Sequence, residues 1–250
     1  MILIIGSNHD DVLFYENALM NKKDDVILNQ YPVSYGKIFN QDVAVVSEVY
    51  TNYISSIVTS YFINNYFVIL VINVGTCLGY SDNVNFLDLA ISDQVTLSDV
   101  DQIAIRPVHL GQIPGNYPSF FKLESELKST VVSTFESRYE NPSRLATYFS
   151  ANTYYVREEQ LAPLKLANIL SPYEKDIVFD CTYGGVALAC YMHNISSVAI
   201  KVVEGKFTEY IEFERYAQIL SCYASIGKSI MSLIGDISRT DILEGVVSDE

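Results

Sequence analysis

The segment Ser7-Asn8-His9-Asp10-Asp11-Val12 places two carboxylates directly after the apolar run Ile2-Leu3-Ile4-Ile5. A carboxylate at the carboxyl end of a strand, beside the start of a helix, is placed to face a ligand in a doubly wound sheet. Capping that helix is the other role open to Asp10 and Asp11, and the residues alone leave both readings standing. A further acid, Glu204, closes the run Val198-Ala199-Ile200-Lys201-Val202-Val203, where a solvated strand terminus is the ordinary reading. The stretch Val71-Ile72-Asn73-Val74-Gly75-Thr76-Cys77-Leu78-Gly79-Tyr80 follows Phe67-Val68-Ile69-Leu70 and reads as a buried strand running into a turn of small residues. Gly75 and Gly79 would let backbone N–H groups approach a ligand, and Thr76 adds a hydroxyl. Gly111-Gln112-Ile113-Pro114-Gly115 reads as a rigid loop. Tyr154 lies in Phe149-Ser150-Ala151-Asn152-Thr153-Tyr154-Tyr155-Val156; among 19 tyrosines, packing is the ordinary role of any one.

These residues need elements to hold them. Apolar runs predict strands at 1–5, 43–47, 67–74, 87–95, 146–151 and 198–203. Helical patterns cover 10–21, 51–65, 117–136, 158–169, 183–193 and 208–235. The alternation implies one α/β domain spanning 1–250, with a twisted, mostly parallel mixed sheet between two helical layers. Asn141-Pro142-Ser143 opens a loop, Ser171-Pro172 stops a helix, and Val247-Ser248-Asp249-Glu250 reads as a solvated tail.

Composition narrows the function classes. A 49% hydrophobic content in 250 residues is ample for a core. The formal net charge of −14 disfavours nucleic acid and anionic membrane as partners, because both would repel such a surface. No apolar run reaches the roughly 18 residues that span a bilayer. The start Met1-Ile2-Leu3-Ile4-Ile5-Gly6 has no basic n-region and reads as a strand, which points to a cytoplasmic protein. Cys77, Cys181, Cys190 and Cys222 are widely separated and read as buried thiols; with His9, His109 and His193 they show no metal-ligand spacing.

In their order, the Gly75–Gly79 segment, Phe86-Leu87-Asp88-Leu89-Ala90-Ile91-Ser92-Asp93-Gln94-Val95 and Gly111–Gly115 resemble the purine nucleoside phosphorylase and nucleosidase superfamily. The nearest branch hydrolyses methylthioadenosine and S-adenosylhomocysteine. The resemblance implies a three-layer nucleoside phosphorylase-like fold, a small-molecule nucleoside as substrate, no cofactor, and a homodimer. It places Asp11 where the nucleosidases hold the attacking water with a Glu, one methylene longer. Tyr154 falls where an aromatic stacks on the purine. Ile105 and Pro114 would line the partner's pocket around the 5′-substituent. The family's Glu-Met-Glu motif falls on Asp180, Cys181 and Thr182, so threonine replaces the carboxylate that grips the ribose hydroxyls. In the family's Arg-x-x-Ser-Asp strand end, this chain has Lys201, Glu204 and Gly205. Glycine thus stands at the proton donor's position, and a one-residue shift would put Glu204 there instead. Where the family keeps a Gly-rich turn, Val49 and Tyr50 would occupy substrate space, and Leu78 would narrow the pocket.

Asn73 stands where the phosphorylases carry a phosphate-binding Arg, which argues for water as the acceptor. Three functions follow from the resemblance. The first is a purine nucleoside hydrolase using Asp11 and Glu204, with Thr76, Asp180, Cys181 and Thr182 at the sugar. The second is a binding or structural module that has lost the chemistry, and the third is a phosphorylase.

Overall fold

Ile2, Leu3, Ile4 and Ile5 are all fully buried, and alternate side chains serve different cores. Ile2 and Ile4 join a cluster with Val12, Leu127, Val131, Ile230 and Leu233; Leu3 and Ile5 join one with Val58, Phe62, Val186 and Ala187. Strand geometry sends successive side chains to opposite faces, so a run apolar at every position is a strand covered on both sides. This strand, β1 (Ile2–Gly6), sits mid-sheet between β4 (Gln41–Val46) and β5 (Leu70–Gly79), parallel to both. A computed structural model describes residues 1–155, 157–166, 169–170, 176–207 and 213–238. The Ser171-Pro172 stop and the acidic end at 247–250 lie outside the described residues.

The three layers expected from the sequence are present. One face of the sheet carries α1 (His9–Ala18), α3 (Ser125–Glu136) and α6 (Phe213–Ile237); the other carries α2 (Asn52–Asn65) and α5 (Tyr183–Met192). A short α4 (Ala162–Leu166) follows a 3₁₀ turn at Glu158–Leu161. The remaining strands are β2 (Met20–Ile27), β3 (Tyr31–Ile38), β6 (Leu89–Leu97), β7 (Phe121–Lys122), β8 (Ser143–Ser150), β9 (Asp176–Asp180) and β10 (Ser196–Lys206). Strand order runs β10-β6-β8-β9-β5-β1-β4-β3-β2, and β10 also pairs with β5. Five strands therefore close a ring, with β1, β4, β3 and β2 extending from it.

The sheet is mixed, as expected, and the longest pairings among the described strands, β10 with β5 and β6 with β8, are parallel. One expectation needs correcting. The Gly75–Gly79 segment is strand rather than turn, since β10 pairs with β5 along the whole of it. Strands β2, β3, β7 and β9 were not legible as apolar runs. Strand β2 is a sheet edge carrying Lys22, Lys23, Asp24 and Asp25, charges that blunt an edge and hide its pattern. Helix α3 starts eight residues later than its pattern, at Ser125. The Glu124 carboxylate accepts the N–H groups of Glu126 and Leu127 at 2.9 Å there and fixes the first turn.

Candidate active site

Helix α5 begins at the carboxyl ends of β8 and β9, and the side chains that satisfy its first N–H groups build one wall of a cavity. Asp180 Oδ2 accepts from the N–H of Thr182 and Tyr183, Ser150 Oγ from Gly184, and Asn52 Oδ1 from Gly185. All four amide donors at that terminus are thereby paired. Asp180 Oδ2 also receives Lys201 Nζ at 2.6 Å, and that ammonium bonds Thr182 Oγ1 at 2.8 Å. Both charged side chains are 1% exposed. Burial works against the Asp180 carboxylate, but the adjacent Lys201 charge outweighs it and holds its pKa below the ordinary range.

Lys201 reaches this point from the middle of β10, where its neighbours Ile200 and Val202 face the opposite core. Two residues beyond Val202 the ladder with β5 slips: Val203 pairs with Cys77 but Gly205 pairs with Leu78. Glu204 is the extra residue of a β-bulge, and a bulge turns its side chain out of the normal alternation. The Glu204 side chain consequently faces the cavity, where Tyr154 Oη donates to its Oε1 at 2.8 Å and the Thr76 hydroxyl bonds it as well. Burial raises the Glu204 pKa above the usual carboxylate value, against the pull of those two hydroxyls. Such a group keeps its proton to higher pH than a solvated glutamate.

Asp11 lies just behind the cavity wall, 4% exposed. Its Oδ2 accepts the Asn8 N–H at 2.8 Å, so the capping role left open by the sequence is realised. Its Oδ1 accepts the hydroxyl of Tyr223 from α6 at 2.6 Å. Gly75, at φ +131°, passes directly over this carboxylate; a Cβ there would stand 2.8 Å from Asp11 Oδ2. Burial raises the Asp11 pKa, while Tyr223, Asn8 and Lys201 act in the other direction.

The cavity encloses about 370 Å³, a volume suited to a small molecule. Thr76, Tyr154, Asp180, Cys181 and Glu204 line it together, as do Tyr50 and Leu78, the two residues expected to crowd it. Asp11 adjoins it through the lining residues Ser7 and Asn8. Four expected site residues lie outside this lining. Val49 is fully buried in the core against the β-sheet, its N–H bonded to Gly6 O, so the wall at that point is Tyr50. Thr182 is turned inward, its hydroxyl shared between Lys201 and Asn73, and is 2% exposed. Ile105 and Pro114 sit on the loop after β6, away from this chain's own cavity; Ile105 is 74% exposed.

The role of Lys201 is one that the sequence reasoning does not identify. A lysine inside an otherwise apolar strand was the signal, because a buried ammonium requires a carboxylate beside it. Tyr223 left no such signal: its partner lies 212 positions away.

No family model matches the chain. It is 22% identical over 237 residues to the 5′-methylthioadenosine/S-adenosylhomocysteine nucleosidase of Staphylococcus aureus, covering 95% of this chain and 100% of that protein. Its structure superposes with a TM-score of 0.83 on the nucleosidase of that name from Neisseria meningitidis, solved with methylthio-immucillin-A. That match is 15% identical and covers 94% of this chain and 98% of the other. The chain has the nucleoside phosphorylase and nucleosidase fold. The nucleosidase from Colwellia psychrerythraea, solved with adenine, gives the same result: TM-score 0.79, 20% identity, 94% of both chains covered.

Proposed function

We propose that this protein is a purine nucleoside N-glycosyl hydrolase of the methylthioadenosine/S-adenosylhomocysteine nucleosidase kind. The observation that carries the reading is the β-bulge in β10, which presents Glu204 to the cavity although the next residue is glycine. Glu204 gives its proton to N7 of the purine as the C–N glycosidic bond breaks. Water adds its oxygen to the anomeric carbon and its released proton passes to the Asp11 carboxylate. Asp180 lines the cavity, and its Oδ1 is closed off without a hydrogen-bond partner among the described residues, so a small turn of the side chain would offer it to a sugar hydroxyl; the Ser150 hydroxyl donates to Asn52 instead. Tyr154 and Cys181 complete the walls around base and sugar. Among the described residues Lys201 is the one cation in the lining and is committed to Asp180, so a phosphate would meet carboxylates and no free positive charge from them. That favours water over phosphate as acceptor.

A second reading is motivated by Thr182. With its hydroxyl spent on Lys201 and Asn73, Thr182 offers the sugar no carboxylate, and a nucleoside-binding module without turnover would look the same. A homodimer, with Ile105 and Pro114 of one copy over the other's cavity, and a cytoplasmic setting belong to the same proposal. The exposed Ile103 and Ile105 support the dimer, and sedimentation as a monomer would remove it. Base release from methylthioadenosine, adenosylhomocysteine, adenosine and inosine, each with and without phosphate, tests the whole. Release without phosphate is expected. Nucleoside binding without release would leave the module, and release only with phosphate would make the protein a phosphorylase.

A further inference from the structure

Asp11 is one methylene shorter than glutamate, so its carboxylate cannot find its own orientation over a wide arc. Three contacts from three elements fix it. The Asn8 N–H holds Oδ2 from the start of α1, at 2.8 Å. The bare backbone of Gly75 in β5 lies against the same oxygen, leaving no room for a side chain. Tyr223 Oη of α6 holds Oδ1 at 2.6 Å, a short bond of the charge-assisted kind. Tyr216, seven residues earlier and so on the same face of α6, donates to Asp10 Oδ2 at 2.6 Å. Helix α6 is thus tied to the first turn of α1 by two phenols, one at each of its carboxylates.

We infer that Tyr223 is a positioning residue for Asp11, fixing the plane of the carboxylate that takes the proton of the attacking water. This rests on the hydrolase reading for its chemistry, while the hydrogen bond itself does not. Without the phenol, Oδ1 loses its only side-chain donor among the described residues, and the backbone N–H groups of Asn8 and Ser7 are left to orient the carboxylate. The charged and titratable groups facing Asp11 are Tyr223 and Tyr216 from α6, Asp10 and Tyr15 from α1, and Lys201 and Glu204 from β10. A phenol that donates to the ionised carboxylate favours the ionised form. Removing it moves Asp11 protonation to higher pH.

The test is Tyr223→Phe, which keeps the ring in its packing. The expected result is a fall of about tenfold or more in kcat with KM changed less than about threefold, since hydrogen bonds to charged groups carry free energies of that order. The acid limb of the rate profile should move to higher pH. Tyr216→Phe, acting on Asp10, should stay within about twofold of wild type. On an Asp11→Asn background, Tyr223→Phe should cost nothing further; an equal cost on both backgrounds would assign Tyr223 to structure alone and overturn the inference. If wild type releases no base, the hydrolase reading fails, and carbon-13 titration of the Asp11 carboxyl decides Tyr223 by itself. An upward move in Tyr223→Phe supports the inference, and an unchanged titration overturns it.

Discussion

Lys201 shows how one buried charge organises the floor of the cavity. Its ammonium is closed off from water and satisfied by Asp180 and Thr182, and Asp180 in turn holds the start of α5. Breaking such a pair leaves the other charge buried and uncompensated, so Lys201→Met should destabilise the fold by about 3–5 kcal/mol in denaturant melts at neutral pH. The pH dependence follows from the direction of the Asp180 shift. Its pKa is lower in the folded chain than in the unfolded one, so the pair's contribution is present above the unfolded value. It is lost as pH falls through the folded one. The gap between wild type and variant should narrow in acid, and a gap independent of pH would refute the pairing as its cause. Glu204 has the opposite sign: its raised folded pKa means its charge costs stability at neutral pH. The best candidate acid is therefore held at some expense to the fold.

Among the elements, β10 and α5 do the positioning, and they differ in how far the sequence revealed them. Both were legible as an apolar strand and a helical pattern, and Asp180 and Cys181 stand just before α5, but β10 continues past Glu204 to Lys206, so that residue is not the strand's end. The bulge was not legible as such, because a ladder slip depends on the partner strand, here β5, rather than on β10 alone. Only the oddity of Glu204 beside Gly205 hinted at it. The reading of Gly75–Gly79 as a turn erred for a similar reason: glycine within a strand marks close approach as readily as a turn, and at Gly75 the approaching group is Asp11. The α2–α5 contact is closer still. A Cβ on Gly185 would run into the carbonyl oxygen of Asn52 and the hydroxyl of Ser55. Gly185→Ala should therefore push α5 from α2 and cost about 1–3 kcal/mol, the usual range for overpacking a core. It should also lower activity by displacing Asp180. A thermal melt matching wild type would show that the contact relaxes freely.

At the scale of the molecule, the three layers were readable from strand and helix alternation, whereas the ring closed by β10 and β5 was not, because long-range pairing leaves no local pattern. A net charge of −14 surrounds a cavity whose sole lining cation among the described residues is already paired. Both the overall field and the local site disfavour an anionic co-substrate, and both are compatible with a neutral nucleoside and water. The central claim joins the two scales: an N-glycosyl hydrolase whose acid is a glutamate delivered by a bulge. It is tested most directly by adenine release from methylthioadenosine in phosphate-free buffer, comparing wild type with Glu204→Gln. The account expects release by wild type, unchanged by added phosphate, and a loss of roughly 10²–10⁴-fold in the variant, the range of general acid catalysis. Equal release by both proteins, or release that requires phosphate, would contradict it.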